Sequence, residues 1–209
     1  LFSYPMDAIR QDVKSHLKTG CREIWITSND TGAYMVDQGG KQKLSELLEN
    51  ILSVPLDFKV RVGMMNPGNT ITILDQLIEI YKNPKMFKFL HIPVQAGNNE
   101  ILKSMNRRYS AEDFINVVEA FRKEIPEITI STDIIVGFPS ETEEQFNDSL
   151  KIIQKTRPDV LNISRYVARE GTIAAKMKQL STNELKRRSR LMTELYRKIA
   201  FEQNKKWLG

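Results

Sequence analysis

Two hydrophobic periods alternate along this chain from end to end. A period near 3.6 predicts helices from Pro5 towards Gly20, over "QKLSELLENIL" (42–52) and over "TILDQLIEIYK" (72–82). The same period recurs at about 98–105 and 110–124, over "TEEQFNDSLKIIQKT" (142–156), and in a long basic stretch from about 182 to 206. Between these lie short β-branched or apolar runs that predict strands: "REIWITS" (22–28), "FKVRVGMM" (58–65), "FKFLHIPV" (87–94), 128–136 and "DVLNISRY" (159–166). Helical crossovers separate the strands and no hairpin signal joins any two, which predicts an α/β chain with a parallel sheet. There is no internal repeat and no low-complexity linker.

Alternation inside the strands narrows the architecture. Thr129, Ser131 and Asp133 share one strand face, as do Asn162, Ser164 and Tyr166; His91 shares a face with Phe87 and Phe89, and Arg61 alternates with Val60 and Val62. A parallel sheet covered by helices on both sides is apolar on both faces. One polar face suits a curved sheet around a wet or ligand-filled interior, so the expected fold is an incomplete (β/α) barrel rather than a doubly wound sheet. Asp133 states the problem most sharply. It sits in "ITISTDIIVGFPSE" (128–141), a strand-like composition in which an unpaired carboxylate costs several kcal/mol. Either it bonds a nearby backbone amide or its strand faces a polar ligand. The expected arrangement has Ser131 and Asp133 facing a polar lumen, with Ile130, Ile134 and Val136 facing the helices.

Composition adds exclusions. With 209 residues, 41% hydrophobic and 27% charged, the chain is an ordinary globular one, with one domain as the default. No apolar run approaches the ~18 residues of a membrane span, and no signal-peptide pattern opens the chain. The opening "LFSYPMDAIR" lacks an initiator methionine and reads as the middle of a larger protein. Cys21 is the single cysteine, so there is neither a disulfide framework nor a cysteine-based metal site, a composition that fits the cytoplasm. Cys21 itself reads as a small buried residue at a strand entrance. His16 and His91, the two histidines, are far apart, which argues against a zinc or iron site of their own. The net charge of +5 is local: residues 181–209 hold eight Lys/Arg against three Asp/Glu, and the remainder balances at 23 of each. That segment is either a solvated helix face or a surface for an acidic partner or nucleic acid.

In parallel α/β folds ligands bind beyond the carboxyl ends of the strands. Those ends read Thr27-Ser28-Asn29-Asp30-Thr31-Gly32, Met64-Met65-Asn66-Pro67, His91 to Gly97, Gly137 to Glu141, and Tyr166 to Thr172. All five carry glycine or proline beside polar residues, as a shaped small-molecule site needs. Glu141 reads as a helix-start acid that complements the dipole. No nucleophile elbow, P-loop, G-x-G-x-x-G or metal-binding histidine pair is present. If the chain serves an enzyme, the difficult chemistry belongs to a cofactor.

The segments "GCREIWITSNDTGAY" (20–34), "VRVGMMNP" (60–67), "HIPVQAGNNEILKSMNRRY" (91–109), "TDIIVGFPSETEEQF" (132–146) and "YVAREGTIAAKM" (166–177) occur in that order. Together they resemble the radical S-adenosylmethionine (SAM) core of the methylthiotransferases that act on tRNA and on a ribosomal protein. "TSNDTGAY" and "GMMNP" are similar to the archaeal and eukaryotic branch that modifies threonylcarbamoyladenosine in tRNA.

The resemblance implies a partial six-stranded (β/α) barrel over residues 1–209, with the first strand and the C-x-x-x-C-x-x-C cluster loop missing before "LFSYP". It also implies an N-terminal cluster domain and a C-terminal TRAM domain outside the chain, with "KKWLG" (205–209) leading into the latter. The implied cofactors are SAM and [4Fe–4S] clusters whose ligands are not in this chain, and the implied partner is tRNA. The implied reaction is reductive cleavage of SAM to a 5′-deoxyadenosyl radical, hydrogen abstraction at adenine C2 and methylthiolation there. A ribosomal-protein substrate, or a non-catalytic RNA-binding module of the same fold, are the rival expectations.

Carried over by resemblance, Gln95 and Arg107 contact the cofactor, and Asp133 binds the SAM ribose with Ser131 on the same face. The backbone from Ile135 to Gly137 receives adenine, and Thr27, Ser28 and Asn29 meet the methionine amino group. Arg61, Asn66, His91 and Arg169 are candidates for substrate. No residue is expected to be catalytic in its own right and none to bind metal. Three departures stand out: "QAG" for the family's "QSG", "GFPSET" for "GFPGET", and "REGTIAA" for "RPGTPAA". None of the three removes a carried-over polar group. The third removes two prolines around Arg169, and Ser140 stands where the family has glycine.

Overall fold

The computed structural model describes residues 2–205. The chain forms two compact units, the first comprising everything up to His91 together with Ala120–Ile128, the second Ile92–Glu119 and the chain from Thr129 onward. Most of "KKWLG" lies outside the described residues. No helix among the described residues is long and apolar enough to cross a membrane.

In the first unit, α1 (Met6–Lys18) starts after Pro5 and buries Val13 and Leu17. It ends in a turn in which Gly20 takes a φ of +101° and the Cys21 N–H donates to the His16 carbonyl. Cys21 is therefore exposed in this turn rather than buried, because β1 starts only at Glu23. β1 (Glu23–Ile26) pairs in parallel with β2 (Lys59–Val62), with Trp25 opposite Arg61. β3 (Phe89–His91) follows an extended entry in which the Phe87 N–H donates to the Val60 carbonyl. Helices α2 (Leu44–Leu52) and α4 (Leu74–Lys82) bury one face each, through Leu44, Leu47, Leu48 and Ile51 and through Leu77 and Tyr81. Tyr81 meets Phe121 edge-on, with ring centroids 5.2 Å apart.

One helix was not foreseen. β2 stops at Val62, and the "NP" beyond it caps a helix: Asn66 accepts from the Gly68 N–H and Pro67 opens α3 (Pro67–Ile71). Proline suits that position because its fixed φ is helical and its missing N–H would have no partner there.

In the second unit, α5 (Asn99–Ser104) precedes α6 (Ala111–Glu124), whose last residues belong to the first unit. β4 (Thr129–Val136) pairs in parallel with β5 (Val160–Arg165), Asp133 standing opposite Asn162. α7 (Glu143–Thr156) between them begins with a reciprocal cap of Thr142 and Gln145. It packs so tightly on the 97 backbone that a Cβ there would lie 2.5 Å from the Asp148 carbonyl, so only glycine fits. α8 (Thr182–Asn204) buries Arg188, Met192, Ile199 and Gln203.

β4 shows the expected alternation. Ile130, Thr132, Ile134 and Val136 are all buried, while Asp133 and Ile135 are half-buried on the other face. Ser131 is more covered than expected, at 3% exposure. Thr132 carries a hydroxyl into the apolar face without penalty: it donates to the Ile92 carbonyl (2.8 Å) and accepts from the Val94 N–H (3.1 Å).

Candidate functional site

β4 organises the candidate residues of the second unit. Asn162 donates its amide N–H to the Asp133 carboxylate at 2.6 Å, so the acid is braced from the neighbouring strand at its register position. On its other side runs the segment ending at Gln95. The Gln95 N–H donates to the Asp133 carbonyl and its carbonyl accepts from the Ile135 N–H, both at 2.9 Å. Gln95 holds a left-handed φ of 68°, a conformation that costs a non-glycine residue about 1–2 kcal/mol and persists here because β4 grips both of its backbone polar groups. Gln95, Asp133 and Ile135 are thus brought together by backbone geometry, and Ser131 lies two residues back on the same face, its carbonyl accepting from the Ile92 N–H.

Gly137 is more than a turn residue. It has a φ of +76°, and a Cβ there would lie 2.0 Å from the Leu185 side chain of α8. Its N–H donates to the Glu141 carboxylate at 2.9 Å. The Ile135 N–H is likewise committed, to the Gln95 carbonyl. Glu141 departs from the expected dipole role. Its carboxylate is buried against the Arg188 guanidinium at 2.7 Å, and Arg188 also donates to the Glu141 carbonyl at 3.1 Å. Burial pushes the Glu141 carboxyl above its usual range, opposed by the Arg188 hydrogen bond. Arg107 and Arg169 are both exposed; the Arg107 N–H closes the end of α5 on the Leu102 carbonyl, and the Arg169 carbonyl accepts from Thr172. No hydrogen bond among the described residues joins their side chains to the β4 group.

In the first unit Thr27, Ser28 and Asn29 are exposed past β1, and the Ser28 hydroxyl accepts from the Asp30 N–H. Asp30 is the organiser that sequence reasoning passed over. One of its oxygens accepts from the Gly32 N–H (3.1 Å) and the Asn66 N–H (3.0 Å), the other from the Asn69 side-chain amide (2.7 Å). "NDTG" signalled a local turn, but nothing local announced a partner 36 residues away. The candidate Asn66 uses its side-chain oxygen as a helix cap. A cleft of about 350 Å³ opens beside this end of β1, lined by Ile26, Thr27, Ser28, Asp30, Tyr34 and Phe2 among others. Ser3 closes its rim, donating from its N–H to Asp37 at 2.8 Å. His91 is half-buried and its carbonyl accepts from the Met65 N–H. Arg61 lies over two aromatic rings, 4.5 Å from the Trp25 centroid and 4.1 Å from that of Phe89.

Parallel strands, helical crossovers and a polar strand face define an α/β protein of the incomplete-barrel type. Residues 1–153 match the radical SAM superfamily, and the chain belongs to that family. More particularly, it is 50% identical over 209 residues to a probable threonylcarbamoyladenosine tRNA methylthiotransferase of Archaeoglobus fulgidus, covering all of this chain and 49% of that one. To the protein described in the same terms in Pyrococcus horikoshii it is 48% identical, again covering 100% and 49%. To the threonylcarbamoyladenosine tRNA methylthiotransferase of Drosophila melanogaster it is 40% identical over 197 residues, 94% of this chain and 35% of that one. The chain spans about half the length of the archaeal relatives it matches. Among solved structures, coproporphyrinogen III oxidase from Escherichia coli aligns with a TM-score of 0.61 at 22% identity, covering 91% of this chain and 45% of that one. Methylornithine synthase aligns with a TM-score of 0.55 at 16% identity, covering 93% and 54%. At these identities the structural likeness speaks for the fold alone, and it agrees with the incomplete (β/α) barrel expected from the strand patterning.

Proposed function

We propose that this chain is the SAM-binding core of a tRNA methylthiotransferase acting at C2 of N6-threonylcarbamoyladenosine. The observation that carries the reading is similarity over 94% to 100% of the chain to proteins of that one description in a fly and in archaea. The donor set on β4 fits SAM. A carboxylate accepts two hydroxyl donors, as a ribose presents them, and Asp133 stands half-buried on the polar face with Gln95 and Ile135 beside it. In this reading Asp133 holds the ribose, Ile135 offers an apolar surface to adenine, Gln95 adds a polar contact, and Ser131 supports that face from beneath. The exposed oxygens of Thr27, Ser28 and Asn29 suit an ammonium group.

Bound SAM supplies radical hydrogen abstraction; the residues here bind, orient and keep water from the reacting carbon. The [4Fe–4S] cluster that such chemistry requires does not fit this chain. Such clusters are held by several cysteine thiolates, Cys21 is the one cysteine, and among the described residues no group of three His, Cys, Asp or Glu side chains could hold a metal. The reading therefore assigns cluster binding to the remainder of the whole protein.

α8 is mainly a packing helix: Arg188 is buried, and Arg187 pairs with Glu143 and Glu184. Lys186, Arg197, Lys198 and Lys205 remain exposed, and we assign them to tRNA phosphates, a salt-sensitive and sequence-independent role. We infer a cytoplasmic enzyme, since the proposed substrate is tRNA.

The test is the full-length protein with reconstituted clusters, SAM and tRNA carrying threonylcarbamoyladenosine, followed by nucleoside mass spectrometry. A 2-methylthio product is expected. Modification of a ribosomal protein with the tRNA untouched overturns the reading. The 209 residues alone are expected to leave SAM uncleaved after iron–sulfur reconstitution.

A further inference from the structure

Arg61 has an arrangement that packing does not explain. It sits at an interior position of β2 between the buried Val60 and Val62, yet its own face is open. Trp25, its register partner on β1, is 58% exposed, so the stack of Trp25, Arg61 and Phe89 is not an interior cluster. Cation–π contact with two rings fixes the guanidinium and uses its faces. Its N–H groups remain, and among the described residues no acidic side chain pairs with them. Glu23, the acid on the same face of β1, is engaged by the Trp25 indole N–H. A guanidinium held in place by aromatic rings and left with its donors is a pre-formed receptor for a planar anion, and a carboxylate matches its fork in a bidentate way.

The threonylcarbamoyl group of the proposed substrate ends in a free carboxylate. We propose that Arg61, held by Trp25 and Phe89, receives that carboxylate and is the residue by which the enzyme selects the threonylcarbamoyl nucleoside. The assignment rests on the tRNA reading above. SAM carries a carboxylate of its own, so the test separates the two sources.

Full-length, cluster-reconstituted wild type, Arg61→Gln and Arg61→Lys are compared on two tRNAs, one with threonylcarbamoyladenosine and one with its carboxylate converted to the methylamide. SAM binding is measured in parallel by equilibrium dialysis. Wild type is expected to favour the acid over the amide by roughly 10- to 100-fold in kcat/KM, the range of one charged hydrogen-bonded contact. Arg61→Gln is expected to lose that preference, chiefly through KM, while SAM affinity stays within about twofold. Arg61→Lys is expected to keep part of it, as a point charge without the fork. Equal use of acid and amide by wild type overturns the proposal even if no variant folds. So does an unchanged preference in Arg61→Gln, or a loss of SAM affinity that matches the loss of turnover, which assigns Arg61 to the cofactor. If wild type modifies neither tRNA, the tRNA reading itself fails.

Discussion

Each unit secures a strand end with one carboxylate, and the two do it in opposite ways. Asp30, half-buried beyond β1, takes three neutral donors: the N–H groups of Gly32 and Asn66 and the Asn69 amide. Glu141, beyond β4, is buried at 4% exposure and takes the Gly137 N–H and the Arg188 guanidinium on the same oxygen, while its other oxygen has no partner among the described residues. A carboxylate at a wet rim needs only hydrogen bonds. One that is buried needs a counter-charge, and the pair then stands or falls together. The difference predicts which substitutions the fold tolerates.

The largest effect is expected at Arg188. Arg188→Met leaves Glu141 buried without its cation and should destabilise the chain by about 3–5 kcal/mol in urea unfolding. Adding Glu141→Gln should restore part of that loss, because it removes the stranded charge. If the double variant is as unstable as the sum of the two singles, the pair is not a coupled unit. Asp30→Ala comes next, at about 1–3 kcal/mol, the cost of orphaning hydrogen-bond donors at a partly covered site. A loss at Asp30 that equals the one at Arg188 would erase the contrast between the two ends.

The third expectation concerns acid. Glu184, in the first turn of α8, is held down to about 2 by hydrogen bonds from Arg187 and then Arg188. Its folded value lies below its unfolded one, so its contribution is present above about pH 4.5 and fades as pH falls towards 2. Glu141 has the opposite sign: burial raises it, so the folded state takes up its proton first and this group favours folding more as the pH drops into the carboxylate range. Wild type should therefore exceed Glu184→Gln in stability at pH 6 and converge with it near pH 2. A constant gap across that range refutes the assignment.

The smallest effect is expected at Ser140. It holds a left-handed φ of 64° where the family has glycine, so the family's glycine serves backbone conformation. Ser140→Gly should stabilise by about 0.5–1 kcal/mol, the αL penalty less the extra entropy of glycine. Destabilisation on that change would mean the serine side chain contributes more than its backbone costs.

Much of the fold was legible because its signals are local. Every predicted helix and strand is present within a few residues, since periodicity, Pro5 and the Thr142–Gln145 cap act over single turns. α3 was missed although Asn66 and Pro67 announce it, because the pair was read only as the segment beyond the end of a strand at 58–65. At the candidate site the polar face of β4 was visible in alternation alone. The bracing of Asp133 by Asn162 was not, because it depends on a strand pairing 29 residues apart.

The sequence by itself determined the order of elements, the parallel connectivity, the one-sided polarity of the strands and the single cysteine. Only the tertiary structure decided what each polar residue does: that Glu141 pairs with Arg188 across 47 residues, that Gln95 is held left-handed by β4, and that Arg61 lies between two rings. The reason is physical. Helix and strand propensities are written within a few residues, whereas a carboxylate or guanidinium takes its partner from whatever the packed chain brings alongside it.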